Sequence, residues 1–191
     1  MPESGTGRTD DVTRRRCLLL RWHRDARGTT GVEFAMLAMP FLMLMFGIMG
    51  VALYFFTVFS MDSAVEQAAR LLRTGQAQQA GYTAGQFKSK ICEFVPGFVD
   101  CEGKVKVNVL SFTDTTNISA ASLPKCLSVT NKLSDTTVFS PGTASQVVLV
   151  WVCYEWELAG KIPFLHLGDM SNGSALIQST SVFRTEPYDT N

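Results

Sequence analysis

The chain has 191 residues, which suffice for one modest domain and one further segment. Its 17 basic and 17 acidic side chains balance, so the overall charge indicates no partner, and no nucleic acid is expected. The charges are unevenly placed: residues 1–28 carry a balance of +3, residues 34–60 carry none, and residues 61–191 carry a balance of −2. A basic segment, an apolar span and a mildly acidic remainder are typical of a membrane protein.

The basic segment predicts the orientation of the chain. Lys and Arg close to a membrane span stay on the cytoplasmic side, and on the far flank only Arg70 and Arg73 lie nearby. We therefore expect a single-pass membrane protein, with residues 1–28 as a cytoplasmic leader and its C-terminal domain on the far side of the membrane. The arginines that precede the apolar run are Arg8, Arg14, Arg15, Arg16, Arg21, Arg24 and Arg27.

The apolar run extends from Phe34 to Ser60, 27 residues without Asp, Glu, Lys, Arg or His. At a rise of about 1.5 Å per helical residue it covers about 40 Å, more than the bilayer's hydrocarbon core of about 30 Å. A helix buried in a soluble protein rarely stays apolar on all faces for so long. A cleaved secretory signal has an apolar region of only about 7–15 residues. The run therefore predicts a retained transmembrane helix.

The same helix is predicted to continue past the apolar run to Arg73, so that residues 29–75 form a transmembrane and amphipathic helix. Thr74-Gly75 is a typical helix stop. Pro40, which membrane helices tolerate, is the one residue that could kink it. The stripe that must pack on another element recurs at helical spacing and consists of Met61, Val65, Ala68 and Leu72.

Residues 76–191 predict a small periplasmic α+β domain. A second helix is expected over 83–95, and alternating or continuous apolar runs predict strands at 104–112, 146–156 and 174–184. The polar stretch 113–142 reads as a long irregular connection. We expect an antiparallel sheet of about three to four strands packed against the helices. The aromatic residues expected in the core are Trp151, Tyr154, Trp156 and Phe164.

The cysteines agree with this topology. Cys17 precedes the span and is expected to be a free thiol, whereas an even number follows the span, where the compartment is oxidising. Those four cysteines allow three pairings, among which the sequence cannot choose; we favour Cys92 with Cys101 and Cys126 with Cys153. Zinc is a weak alternative, because no close Cys-x-x-Cys pair is present and His166 is the only histidine on that side.

The segment between the leader and the apolar run carries the most information about function. Gly28 is followed by Thr29-Thr30-Gly31-Val32, then by Glu33 and Phe34. Type IV prepilins are cut after a glycine by a membrane aspartyl peptidase, and the mature chain carries glutamate at its fifth position. With Val32-Glu-Phe-Ala35 opening a long apolar helix, the segment resembles the TadE-like family.

The resemblance continues in the Ala- and Arg-rich helix of residues 66–73 and in the ending 182–188. It implies processing between Gly28 and Thr29, and a register contact in which the Glu33 carboxylate pairs with the new amine of Thr29. Major pilins of the family have Glu-Tyr where this chain has Glu33-Phe34, and they lack a domain of this size. The resemblance therefore implies a minor pseudopilin of a Tad/Flp-type pilus. The partners it implies are a prepilin peptidase, TadF-like and TadG-like companions, the pilus platform proteins and the major Flp pilin.

Alternative interpretations remain open at this point. Taken alone, Glu33 is also typical of the interfacial end of a membrane span, because an acidic side chain near a helix N-terminus is favourable. The chain could then be an uncleaved, membrane-anchored periplasmic binding module, whose outer domain would act without its helix. No catalytic constellation, phosphate-binding loop or metal motif occurs, so an enzyme, a cofactor or a small-molecule substrate is not expected.

Overall fold

The computed structural model describes residues 27–113, 123–162 and 167–188. The predicted leader up to residue 26, with Cys17, lies outside the described residues, as do Phe164 and His166. The described chain forms two compact units, one that ends at Phe46 and one that begins at Gly47.

Helix α1 is a single α-helix from Arg27 to Arg73, 47 residues long with Pro40 inside it. It begins two residues before the predicted start and ends where the sequence predicts. The stop has a conformational cause, because Gly75 adopts φ 77°, a left-handed conformation that glycine reaches without the strain of a side chain.

Helix α3, Ala84–Phe94, is the predicted second helix without its two cap residues. Thr83 Oγ1 accepts a hydrogen bond from the Gln86 N–H at 3.3 Å, and Gln86 Oε1 accepts one from the Thr83 N–H at 2.9 Å. This reciprocal pair satisfies two backbone donors at the helix start. The sequence did not predict three shorter elements, because one helical turn has no apolar periodicity: α2, Gln76–Gln79; α4, Cys101–Lys104; and the 3₁₀ helix Glu157–Lys161.

Three antiparallel strands form one sheet in the order β1-β2-β3, which confirms the predicted α+β class. The strands are β1, Val105–Phe112; β2, Val147–Trp156; and β3, Ala175–Arg184. Each begins one residue later than predicted and ends as predicted. The central strand β2 is the most apolar of the three, as expected for a strand with neighbours on both edges.

The core of the second unit lies between one face of this sheet, helix α3 and the last turns of α1. Successive strand residues point to opposite faces, and Val148, Val150 and Val152 of β2 belong to this core. Trp151 was predicted to be buried, and this was wrong: it lies on the opposite face from Val150 and Val152 and is partly exposed. Its Nε1 donates a hydrogen bond to Gln178 Oε1 at 3.2 Å. Tyr154 and Trp156 are buried as predicted.

Candidate assembly helix and membrane span

The predicted processing and register residues lie at the start of α1. Gly28 and Thr29 belong to its first turn, and Glu33 and Phe34 follow about one turn later. Both Glu33 and Phe34 are exposed, and among the described residues no side chain forms an ion pair with the Glu33 carboxylate. The structure thus places these four residues on a single helix.

The apolar part of α1 is exposed rather than buried in a soluble core. In the described part of the chain, α1 is the one helix long and apolar enough to cross a membrane by length and composition. Its most apolar 18-residue window has a mean hydropathy of 2.2, and only 6% of that window is buried. Leaving so much apolar surface in water is unfavourable by about 25 cal/mol per Å². The helix therefore fits a single-pass membrane anchor.

From Gly50 onward one side of α1 contacts the rest of the second unit. A side chain at Gly50 would meet Ile162, whose Cδ1 lies 2.9 Å from the position of the missing Cβ. One turn later the rings of Tyr54 and Trp156 pack with centroids 5.4 Å apart. The absence of a side chain at Gly50 therefore lets the end of the 3₁₀ helix approach α1 closely.

The last turns of α1 are part of the domain core. The predicted stripe is confirmed, and two alanines join it, so that six side chains are 0–2% exposed: Met61, Ala64, Val65, Ala68, Ala69 and Leu72. Around this stripe the exposed positions are polar, as with Glu66 and Arg70. One continuous helix thus changes from an apolar exposed segment to a core element.

The C-terminal end of the chain holds the end of α1. The Glu186 N–H donates to the Arg73 carbonyl at 2.8 Å, and the Glu186 carboxylate lies 3.5 Å from Arg73 Nε. The ring of Tyr188 packs against Gly75, where any side chain would overlap it. The predicted resemblance of residues 182–188 therefore falls on a segment with a defined packing role.

The two disulfides join Cys92 to Cys101 and Cys126 to Cys153, the pairing that the sequence favours. The first links the end of α3 to the start of α4. The second ties the connection before β2 to β2 itself. That connection also contacts β1, because Asn108 Oδ1 accepts a hydrogen bond from the Val138 N–H at 2.9 Å. Both disulfides stabilise the fold by restricting the connecting segments that they close.

Charged contacts hold the 3₁₀ helix to the rest of the domain. Lys104 Nζ lies 2.8 Å from Glu157 Oε1 and 3.6 Å from Asp100 Oδ2. The hydrogen bond with Lys104 lowers the pKa of the Glu157 carboxyl, and the same bond raises the pKa of the Lys104 ammonium. On β1, Lys106 lowers the pKa of Asp135 in the same way, at an Nζ to Oδ1 distance of 2.8 Å. Both lysine side chains are partly buried, at 26% and 25% exposure, and these pairs position the 3₁₀ helix and the connection before β2.

A groove of about 600 Å³ lies between the end of α1 and β3. The described residues that line it include neither histidine nor cysteine; among them are Glu66, Arg70, Arg73, Ser181, Phe183 and Glu186. Among residues 27–113, 123–162 and 167–188, no group of three or more His, Cys, Asp or Glu side chains could hold a metal ion.

The predicted residues fall into two groups, each within one unit. Gly28 to Phe34 lie on α1 in the first unit, whereas the four cysteines lie in the second. From sequence, Gly47 and Gly50 are only a weak signal of helix dimerisation, because they lie three residues apart and not four. The structure instead shows Gly50 in close contact with Ile162.

The architecture defines a class of protein: one apolar helix that becomes a core element of a small, disulfide-linked α+β domain. Within that class, residues 28–70 match the protein-family model described as TadE-like protein. This match confirms the resemblance to the TadE-like family over that segment. No curated protein and no solved structure matches the chain.

Proposed function

We propose that the chain is a minor, pseudopilin-like structural component of a Tad/Flp-type (type IVb-like) pilus assembly or secretion system, and not an enzyme. The observation that carries this proposal is the coincidence of the TadE-like match, residues 28–70, with helix α1, Arg27–Arg73. The matched segment contains the processing motif, the exposed apolar run and most of the stripe that packs in the core. A structural role for the helix explains all three features together.

The proposed topology is a cytoplasmic leader of residues 1–28, a transmembrane and amphipathic helix of residues 29–75, and a periplasmic domain of residues 76–191. The arginines of the leader support an N-terminus in the cytoplasm. Two disulfides in the second unit support an oxidising compartment such as the periplasm. The inner membrane is therefore the proposed location.

The proposed processing step is cleavage after Gly28 by a prepilin peptidase. Helix ends fray, so the bond between Gly28 and Thr29 in the first turn of α1 can open for a protease. The new amine of Thr29 then lies four residues before Glu33. Residues four apart share a helix face, so the amine can pair with its own Glu33 or with that of a neighbouring subunit. In an apolar environment an unpaired carboxylate is costly, and this cost favours the pair.

The proposed partners follow from membership of such a system. They are the prepilin peptidase, TadF-like and TadG-like companions, the pilus platform and the major Flp pilin. The exposed apolar part of α1 that precedes Gly47, including Phe34, is the surface on which other helices of the assembly would pack.

The N-terminus of the protein from native membranes, determined by mass spectrometry with and without the prepilin peptidase, tests the processing step. A peptidase-dependent start at Thr29 is the expected result. An intact leader in both strains would favour the alternative, an uncleaved anchored binding module, and would reduce Gly28 and Glu33 to ordinary membrane-boundary residues.

The assembly role of Glu33 is tested by Glu33→Ala, with Glu66→Ala as a matched control on the same helix. Glu66 is exposed but lies beyond the apolar run, so its loss leaves the register contact intact. We expect Glu33→Ala to abolish piliation and complex formation, and Glu66→Ala to retain both. Normal piliation in Glu33→Ala would refute the register contact.

A further inference from the structure

Four exposed phenylalanines surround one side of α1 where the domain meets it. Phe55, Phe56 and Phe59 lie on the helix and are 51%, 53% and 68% exposed, and Phe98, in the loop between α3 and α4, is 58% exposed. The rings of Phe56 and Phe98 stack with centroids 5.9 Å apart. We call these four residues the aromatic collar. All of them belong to the unit that begins at Gly47.

The other side of the same helix turns is covered by protein. Gly50 packs against Ile162, Tyr54 against Trp156, and Thr57 is almost fully buried. The domain therefore begins to cover α1 about ten residues before the apolar run ends at Ser60. Over these turns α1 has domain on one side and exposed phenylalanine on the other.

The length of the apolar run indicates that the aromatic collar lies at the level of the bilayer interface. Its 27 residues cover about 40 Å, whereas the hydrocarbon core is about 30 Å thick and the bilayer with its interfacial regions about 40–45 Å. The excess of about 10 Å matches the two interfacial layers together, so the end of the run lies in the outer one. Aromatic side chains are enriched in that layer. The first charged residue after the run is Asp62, and the exposed positions of α1 beyond it are polar, so the apolar surface of this helix ends where such a layer would end.

A basic side chain lies beside the first contact between the domain and α1. Lys161 immediately precedes Ile162, which contacts Gly50, and its side chain is largely exposed. Its ammonium is 3.7 Å from Glu157, which also pairs with Lys104. A flexible lysine in this position can extend its ammonium group to lipid phosphates.

We propose that the aromatic collar is a lipid-docking surface, which seats the domain directly on the outer interfacial region of the bilayer. The inference rests on the membrane anchoring given under the proposed function. Its occupant is the lipid interface, because the collar is continuous with the apolar run along one helix. Docking restrains the domain relative to the membrane, because the phenylalanines of α1 and Phe98 of the loop then contact the same bilayer surface.

Site-specific photo-crosslinking of the full chain tests the proposal. p-Benzoylphenylalanine replaces Phe98 in protein reconstituted in vesicles of phosphatidylethanolamine and phosphatidylglycerol, and adducts are identified by mass spectrometry. Phe59 serves as a second site, in case the change at Phe98 disturbs its contact with Phe56. Phe41, exposed in the apolar run, reports on membrane insertion, and Val129, fully exposed outside the collar, is the matched control.

Lipid adducts at Phe98 and Phe59, at a yield several-fold above that at Val129, are the expected result. Lipid adducts at Phe41 alone would overturn the docking surface and leave the anchor standing. Protein adducts at Phe98 and Phe59 in place of lipid adducts would assign the collar to another subunit and likewise overturn the proposal. If Phe41 also gave no lipid adduct, membrane anchoring itself would be wrong, and the docking surface with it.

Discussion

Deleting helix α1 tests whether residues 76–191 form an independent domain. The core of the second unit receives six buried side chains from α1, and the three largest, Met61, Val65 and Leu72, are at most 1% exposed. Burying each such side chain stabilises the fold by about 1.5–3 kcal/mol, or about 5–9 kcal/mol for the three together. A domain of this size is typically stable by only about 5–15 kcal/mol. We therefore expect a fragment that begins at Gln76 not to fold, even with both disulfides formed.

The assay is urea unfolding, followed by far-UV and near-UV circular dichroism in the same mild detergent. A fragment of residues 47–191 should unfold cooperatively, and a fragment of residues 76–191 should show no cooperative transition. Within the longer fragment, Leu72→Ala should lower the free energy of unfolding by about 2–5 kcal/mol. The exposed neighbour Arg70 provides the control, because Arg70→Ala should change it by no more than about 0.5 kcal/mol. Cooperative unfolding of 76–191 at the same urea midpoint as 47–191 would refute this reasoning.

Three further predictions concern the same domain. Replacing Cys126 and Cys153 together by alanine should lower the free energy of unfolding by about 2–4 kcal/mol in urea titration, because the disulfide restricts the unfolded chain; an unchanged midpoint would contradict this. Gly75→Ala should lower the free energy of unfolding by at least about 1–2 kcal/mol, because alanine is strained in the left-handed conformation and its Cβ would overlap the ring of Tyr188. Thermal unfolding should then show a lower midpoint. Because the Lys104 contact lowers the pKa of Glu157, its stabilisation is present above the ordinary glutamate pKa and is lost as the pH falls through the lowered value. Glu157→Gln should therefore make the free energy of unfolding decline less steeply with acid below about pH 5, and an identical pH profile in the two proteins would show that the pair contributes nothing.

The fragment experiment also separates the two interpretations of function that the sequence left open. A simple anchored module should tolerate exchange of its helix for an unrelated span. The structure permits such an exchange only in the part of α1 that precedes Gly50. From Gly50 onward the helix packs against Ile162 and then forms part of the core. Exchange of residues 61–73 should unfold the domain, whereas a conservative exchange confined to residues 35–49 should not. Such a chimaera tests assembly without loss of the fold.

The sequence alone determined the features that depend on local pattern. The charge-free run from Phe34 to Ser60 predicts a membrane span without tertiary information, because only its length and the thickness of the bilayer need to be compared. Helical spacing from Met61 to Leu72 predicted which side of α1 is buried, because the period of an α-helix is local geometry. For the same reason, the strands were predicted to within one residue.

Only the tertiary structure decided what these elements contact. Which cysteines pair, which side of β2 receives Trp151, and how closely the 3₁₀ helix approaches Gly50 all depend on residues distant in the chain. The sequence places Phe98 and Phe56 more than 40 residues apart, and the fold stacks their rings. Local periodicity cannot predict such contacts, because the packing energy depends on the shapes of both contacting side chains in the folded protein.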